Sequence, residues 1–326
     1  MGGKSGGGES ENRGQEIASS ILVEAFSYFI AFKGDHKLCL TMSFVNKKWL
    51  YVARPEGRVS SDNYALVTET IDSTSLASNE VIVKMDYISV DPYMRIQQAA
   101  RDTWEAPHPL NTVQGAGTIG HVVATASANF QVGDYVIGYH GWQKYVKCHC
   151  GEVKKLDTDI AQMSVYLGIL GMPGRTAWFG LMESGRPRPG ETVVVSGAAG
   201  AVGSLVVQYA KLAGCKVYGI AGGTKKCEFL VNTLGLDGAI DYKSFSTLET
   251  MSAEIKRITG TGVDVYFDNV GGYITDAILM NIKLRARVII CGQISQYDGG
   301  LDQPQLGPRL LQHLLFQRAT IQGILQ

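Results

Sequence analysis

Two hydrophobic periods divide this chain. Around Val193-Val194-Val195 the apolar positions are consecutive and β-branched, the pattern of a strand covered on both faces. Directly afterwards Val202, Val206 and Tyr209 recur at helical spacing, with Leu205 beside them. The exchange continues downstream. It predicts strands at 192–196, 216–220, 238–241, 263–267 and 286–291, separated by helices at 201–213, 225–235, 247–259 and 273–282. Strands alternating with helices imply a parallel sheet with crossover connections, so the expected fold class is α/β, doubly wound. Two further helices, 163–170 and 176–183, are expected around Gly171-Met172-Pro173-Gly174.

Upstream the period shortens to that of strands. Trp49 to Ala53, Tyr64 to Thr68, Glu80 to Val90, Ala116 to Ala126, Tyr135 to Tyr139 and Trp142 to Lys147 are separated by turn residues such as Gly133-Asp134. This half reads as a β-rich, partly open barrel or sandwich. The expected organisation is therefore a β-rich domain over 45–165 and a nucleotide-binding domain over 166–326. Residues 1–44 form an atypical extension. The first sixteen, rich in Gly, Ser and Glu, are expected to be disordered. The apolar stretch from Ile17 to Phe32 is interrupted by Glu24 and is shorter than a membrane span, and Met42 is a plausible alternative start. At the other end, Thr320 to Gln326 looks like a strand with no helix to cover it, so the sheet is expected to be truncated there.

Composition narrows the classes. The chain has 326 residues, 45% hydrophobic and 18% charged, enough for two domains with real cores. Thirty basic residues balance thirty acidic ones, and no basic stripe stands out, so neither nucleic acid nor an anionic membrane is an expected partner. The six cysteines show no disulfide-framework spacing, which suggests a reduced, cytoplasmic protein. Cys148-His149-Cys150 lacks a second Cys/His pair at suitable spacing, and no metal site is expected.

The candidate chemistry gathers where predicted strands end. Ser196-Gly197-Ala198-Ala199-Gly200-Ala201-Val202-Gly203-Ser204 is a glycine-rich turn between strand and helix. Gly200 lets the backbone approach a pyrophosphate, and Gly203 lets helix and strand pack closely. After the second strand, where folds that prefer NAD carry a carboxylate, stands Gly222-Gly223-Thr224-Lys225-Lys226. Lys225 or Lys226 would neutralise a 2′-phosphate, so NADP(H) is the expected cofactor, and the Tyr242 hydroxyl suits the same phosphate. Asn269, followed by Gly271 and Gly272, suits the cofactor's ribose. Backbone groups from Cys291 through Gly292, Gln293, Ile294 and Ser295 to Gln296 suit its carboxamide. Tyr297 then offers a phenol to an oxygen where negative charge develops; the bland alternative is a surface-loop tyrosine. Neither a hydrolase nucleophile elbow nor an HExxH pair is present.

Several motifs in order resemble one family: Ser89-Val90-Asp91-Pro92-Tyr93-Met94-Arg95, Gly171 to Gly174, Ser196 to Ser204, Val265 to Gly272 and Cys291 to Tyr297. Over roughly residues 45–326 the chain resembles the zinc-independent medium-chain dehydrogenase/reductases, in the branch of prostaglandin reductases and alkenal double-bond reductases. Gly223 to Cys227 and Ala239 to Lys243 look most like the 15-oxoprostaglandin 13-reductase type. The resemblance implies a Rossmann domain beside a GroES-like one, and transfer of hydride from NADPH to the β-carbon of a conjugated enone or enal. It implies the catalytic tyrosine at Tyr297, the pyrophosphate turn at Gly200, Ala201, Val202 and Gly203, and 2′-phosphate ligands at Lys226 and Tyr242. It also implies ribose and nicotinamide contacts at Asn269 and Cys291 to Tyr297, and substrate contacts at Tyr139 and His140. Asp91-Pro92-Tyr93 stands where zinc-dependent relatives place a cysteine ligand, so His121 is expected to be a strand histidine. Family members continue past position 326. The expected substrates are lipid enones, and the expected assembly is a monomer or homodimer. A quinone reductase and a catalytically weak NADPH-binding form remain the alternatives.

Overall fold

The computed structural model describes residues 42–299 and 305–325, so the expected N-terminal extension lies almost wholly outside the described residues. The chain divides into two compact units. One comprises the described residues up to Ala53 together with Ser61–Val90 and Pro109–Ile160. The other comprises Arg54–Ser60, Asp91–His108 and the chain from Ala161 onward.

The first unit is antiparallel β. It contains β1 (Ser43–Tyr51), β2 (Tyr64–Asp72), β3 (Glu80–Ile88), β4 (Thr112–Val113), β5 (Thr118–Thr125), β6 (Tyr135–Gly138), β7 (Tyr145–His149) and β8 (Val153–Lys155). A three-stranded sheet of order β2-β1-β4 accompanies a curled five-stranded sheet of order β7-β3-β5-β6-β8, which makes the partly open barrel expected from the short strands. β3 is covered on both faces. Val81, Val83 and Met85 pack with Val122, Val136 and Cys148, while Ile82 packs with Phe44, Ala124 and Tyr145.

β1 begins at Ser43, ahead of the expected Trp49. Its alternation is real, but one inward position is polar. Asn46 is fully buried, and its amide bridges neighbouring segments: Nδ2 donates to Glu69 at 2.9 Å and Gln143 at 3.1 Å, and Oδ1 accepts from the N–H groups of Lys144 and Tyr145. Hydrogen bonding on every side makes that burial tolerable.

The second unit is the doubly wound α/β half. β9 (Thr192–Ser196), β10 (Lys216–Ala221), β11 (Gly238–Asp241), β12 (Val263–Asp268), β13 (Ile282–Ile290) and β14 (Thr320–Gly323) form one sheet, ordered β11-β10-β9-β12-β13-β14. Every neighbouring pair is parallel. The helical elements are α1 (Tyr93–Gln97), α2 (Met172–Phe179), α3 (Gly203–Leu212), α4 (Thr224–Glu228), α5 (Leu248–Thr259), α6 (Tyr273–Leu279) and α7 (Leu311–Gln317). The three valines of β9 serve both faces at once. Val193 and Val195 pack with Val206 and Val207 of α3, and Val194 packs with Ile255 of α5 and Ile274 of α6.

Several expected boundaries shift. The helix expected over 163–170 is a single 3₁₀ segment at Met163–Leu167. α2 starts before the expected 176, because Pro173 in the first turn sacrifices no helical hydrogen bond, and it passes into a π-helical segment at Gly180–Gly185. The helix expected over 225–235 is likewise α4 followed by a π segment, Phe229–Thr233. β13 begins at Ile282 rather than 286, and α6 ends at Leu279. There Asn281 Nδ2 donates to the Ala277 carbonyl, satisfying a backbone acceptor at the helix exit, and also to the Ser252 carbonyl of α5.

Candidate cofactor and active site

The parallel strands deliver their carboxyl ends to one edge of the sheet, where ligands of such sheets bind. Past β9, Gly197 has a φ of +58°, and the turn re-enters helix α3 at Gly203. A Cβ on Gly203 would lie 2.3 Å from the Gly197 carbonyl oxygen and 2.8 Å from the Ala198 Cα, so only glycine fits there. Val202, the N-cap position, carries no side-chain cap. Among the described residues, no protein acceptor takes the N–H groups of Ala201, Val202 and Gly203. Three unsatisfied donors at the start of a ten-residue helix, beside an exposed Gly200, match the needs of a diphosphate.

A second cluster closes over the end of β10. Asp241 Oδ1 accepts from the N–H of Gly223 at 2.8 Å and of Lys243 at 3.1 Å, which draws the two turns together. A Cβ on Gly222 would meet Tyr242 Cε1 at 2.9 Å and Lys243 Cε at 3.1 Å. A side chain at Gly222 would have to displace the ends of both. Lys225 and Lys226 lie exposed on α4, with no ion pair to either among the described residues. The Tyr273 hydroxyl donates to the carbonyls of Tyr242 and Phe245, which fixes the turn carrying Tyr242.

The third cluster joins the outlets of β12 and β13. Gly271 and Gly272 both have positive φ, at +74° and +65°. The Asp268 carbonyl accepts from the N–H groups of Cys291 and Gly292, and the Val270 carbonyl accepts from Ser295 N and Oγ. Loops 269–272 and 291–297 are thus one hydrogen-bonded body. Asn269 turns its amide inward, Nδ2 donating to the Ser196 carbonyl at 2.8 Å.

Tyr297 is 8% exposed, which removes the surface-loop alternative. Its hydroxyl oxygen accepts from the Gln293 N–H at 3.2 Å, leaving the phenolic hydrogen uncommitted to that contact. Burial raises its pKa above the usual tyrosine value and outweighs the Gln293 N–H, which pulls the other way. Burial also pushes the Cys291 thiol to about 12, so it is no thiolate nucleophile at neutral pH. Arg58 pairs with Asp298 at 3.1 Å, and Arg95 donates to the Gly57 carbonyl, so the segments 54–60 and 91–108 belong with this half.

Tyr139 and His140 belong to the first unit. They follow β6, Tyr139 54% exposed and His140 partly buried. His140 Nε2 has no hydrogen-bond partner among the described residues, and burial lowers the ring's pKa. His121 is a strand residue within β5, its Nδ1 2.7 Å from Asp86. Cys148 ends in the barrel core, and His149 forms a capping box with Glu152, so that triplet is a strand end and its turn. Among the described residues, no group of three or more His, Cys, Asp or Glu side chains gathers as a ligand set. No described helix is long and apolar enough to cross a membrane.

A family described as the N-terminal domain of oxidoreductase matches residues 47–156, and one described as zinc-binding dehydrogenase matches residues 201–326. The chain is 41% identical to an NADP(+)-dependent 2-alkenal reductase of Nicotiana tabacum, across 76% of this chain and 71% of that one. It is 36% identical to prostaglandin reductase 1 of Mus musculus, across 86% of this chain and 81% of that one. The crystal structure of CurA from Vibrio vulnificus in complex with NADPH superposes with a TM-score of 0.78 at 38% identity, covering 86% of this chain and 82% of that one. The chain belongs to the zinc-independent medium-chain dehydrogenase/reductase family.

Proposed function

We propose that this protein reduces the conjugated carbon–carbon double bond of enones and enals with NADPH, and that 15-oxoprostaglandins and related lipid enones are its preferred substrates. The chain is an oxidoreductase of the NADP-dependent class. The observation that carries the reading is Tyr297, a buried phenol at the outlet of β13 whose oxygen is already held by the Gln293 N–H. NADPH, when bound, supplies the hydride. The protein's own groups do the rest. The free N–H groups of Ala201 to Gly203, with Gly200 beside them, take the diphosphate. Lys226 and Tyr242 take the 2′-phosphate, and the backbone of Cys291 to Gln296 with Asn269 takes the ribose and nicotinamide. Tyr297 donates its hydrogen bond to the substrate oxygen as an enolate develops there, and the α-carbon then takes a proton from solvent to complete saturation of the double bond. Tyr139 and His140 are the substrate contacts contributed by the β-rich domain, 45–165.

The test is NADPH oxidation with a 15-keto-prostaglandin, a short 2-alkenal and a quinone, following loss of the enone chromophore. Fastest turnover of the keto-prostaglandin with saturation of its double bond supports the reading. NADPH consumption with the double bond intact, or faster quinone reduction, overturns it.

A second expected result concerns cofactor choice. Lys226→Ala raises the Kd for NADPH about 10- to 100-fold, the worth of one charge-assisted phosphate contact, and leaves that for NADH within about twofold. Fluorescence titration with both cofactors checks it, and an equal loss for both removes Lys226 from the phosphate site.

A further inference from the structure

Asp268 is the one acidic residue whose side chain is fully buried among the described residues, and no step of the proposed reaction uses it. Its carboxylate collects donors. Oδ1 accepts from Ser196 Oγ at 2.8 Å, Tyr266 OH at 2.9 Å, Val270 N at 3.0 Å and Gly271 N at 2.9 Å, and Oδ2 accepts from Thr275 Oγ1 at 2.5 Å. No cation pairs with it among the described residues. Burying a carboxylate without a counter-ion is costly, and these hydrogen bonds are what offset that cost.

The geometry of those bonds points outward, toward the cofactor edge. Two of them wrap the backbone of Val270 and Gly271 around the carboxylate, which bends the chain into the turn with positive φ at Gly271. A third engages Ser196 Oγ, which in turn accepts from Asn269 N at 2.9 Å. The Val270 carbonyl, held in place by this turn, is the acceptor for Ser295 of the second loop. Ser295 donates to it from Oγ at 2.7 Å and from N at 3.1 Å. The carboxylate therefore fixes the first loop directly and the second through it.

We propose that Asp268 is a positioning residue, whose buried carboxylate holds loops 269–272 and 291–297 in the one arrangement that receives the nicotinamide half of NADPH. The assignment rests on the cofactor reading above and adds to it a residue that touches neither cofactor nor substrate. It separates the two ends of the cofactor site: the 2′-phosphate cluster around Gly222 is built by Asp241, and the nicotinamide end is built by Asp268.

Asp268→Asn keeps the shape. Its amide oxygen can replace Oδ1 before the four donors there, and its NH₂ can face Thr275, whose hydroxyl is also able to accept. Equilibrium binding is measured for NADPH and for adenosine 2′,5′-bisphosphate, which lacks the nicotinamide half. The expected result is a rise of about tenfold in Kd for NADPH, with the bisphosphate unchanged within about twofold. With the enone, kcat falls while KM holds within about twofold. Ser196→Ala, which removes only the hydroxyl between Asp268 and Asn269, shifts NADPH the same way by about three- to tenfold and decides the matter if the Asn variant does not fold. Equal losses for both ligands, or no loss for either, overturn the proposal. A wild-type chain that binds neither ligand overturns the cofactor site and this assignment with it. If wild type binds both but reduces no enone, only the substrate reading fails, and the binding split still decides Asp268.

Discussion

Tyr297→Phe lowers kcat for the enone by about 10²- to 10³-fold, the cost of removing one donor from a developing oxyanion. Kd for NADPH stays within about threefold, because the ring that fills the buried space is retained and the lost contact is one neutral hydrogen bond from Gln293 N–H. The distinction between the two constants is what makes the test sharp. A residue that merely packed the loop would change binding and rate together, whereas a donor to the transition state changes the rate alone. The pH profile supplies a second check. Burial holds the phenol above the ordinary tyrosine value of 10.0, so it remains a donor throughout the neutral and mildly alkaline range. The wild-type rate therefore shows no basic limb from this group below that value. Full activity in the Phe variant removes Tyr297 from the mechanism, whereas a basic limb near neutrality that disappears with it overturns the raised pKa of the phenol.

The nucleotide half is legible in the sequence because of its layering. Strands covered on both faces are apolar at consecutive positions, so β9, β12 and the end of β13 stand out from Val193 to Val195, Val265 to Phe267 and Val288 to Ile290. The glycine turn is legible for a related reason, since Gly203 is required by backbone that packs against it and not by any distant partner. What escapes depends on contacts far along the chain. The start of β1 is hidden because its inward Asn46 looks like a surface residue until Gln143 and Tyr145 are brought beside it. The helix α7 carries Leu311, Leu314 and Leu315 at helical spacing, but it is too short for that period to stand out. Asp268 resembles an ordinary turn carboxylate in the string Asp-Asn-Val-Gly-Gly, and only its adjacency to Ser196, 72 positions earlier, shows it to be the centre of a buried network. Patterning exposes layers; it does not expose polar partners joined by topology.

Gly203→Ala carries the other large expected effect, on stability and cofactor binding together. The added methyl would sit 2.3 Å from the Gly197 carbonyl oxygen and 2.8 Å from the Ala198 Cα, both backbone atoms that no rotamer change can move aside. Relief requires α3 to draw back from the end of β9 by about 1 Å, against a core where Val206 and Val207 are fully buried. Overpacking of this kind costs about 1–3 kcal/mol, seen as a lower unfolding temperature of the nucleotide half. The same displacement moves the N–H groups of Ala201, Val202 and Gly203, so the Kd for NADPH rises by about tenfold or more. Gly323→Ala is the control, since a Cβ there meets nothing within 4 Å and the backbone has no positive φ. Calorimetric unfolding and cofactor titration of both variants provide the measurement. If Gly203→Ala matches the control in both, helix and strand do not approach as closely as described, and the three N–H groups lose their claim to the diphosphate.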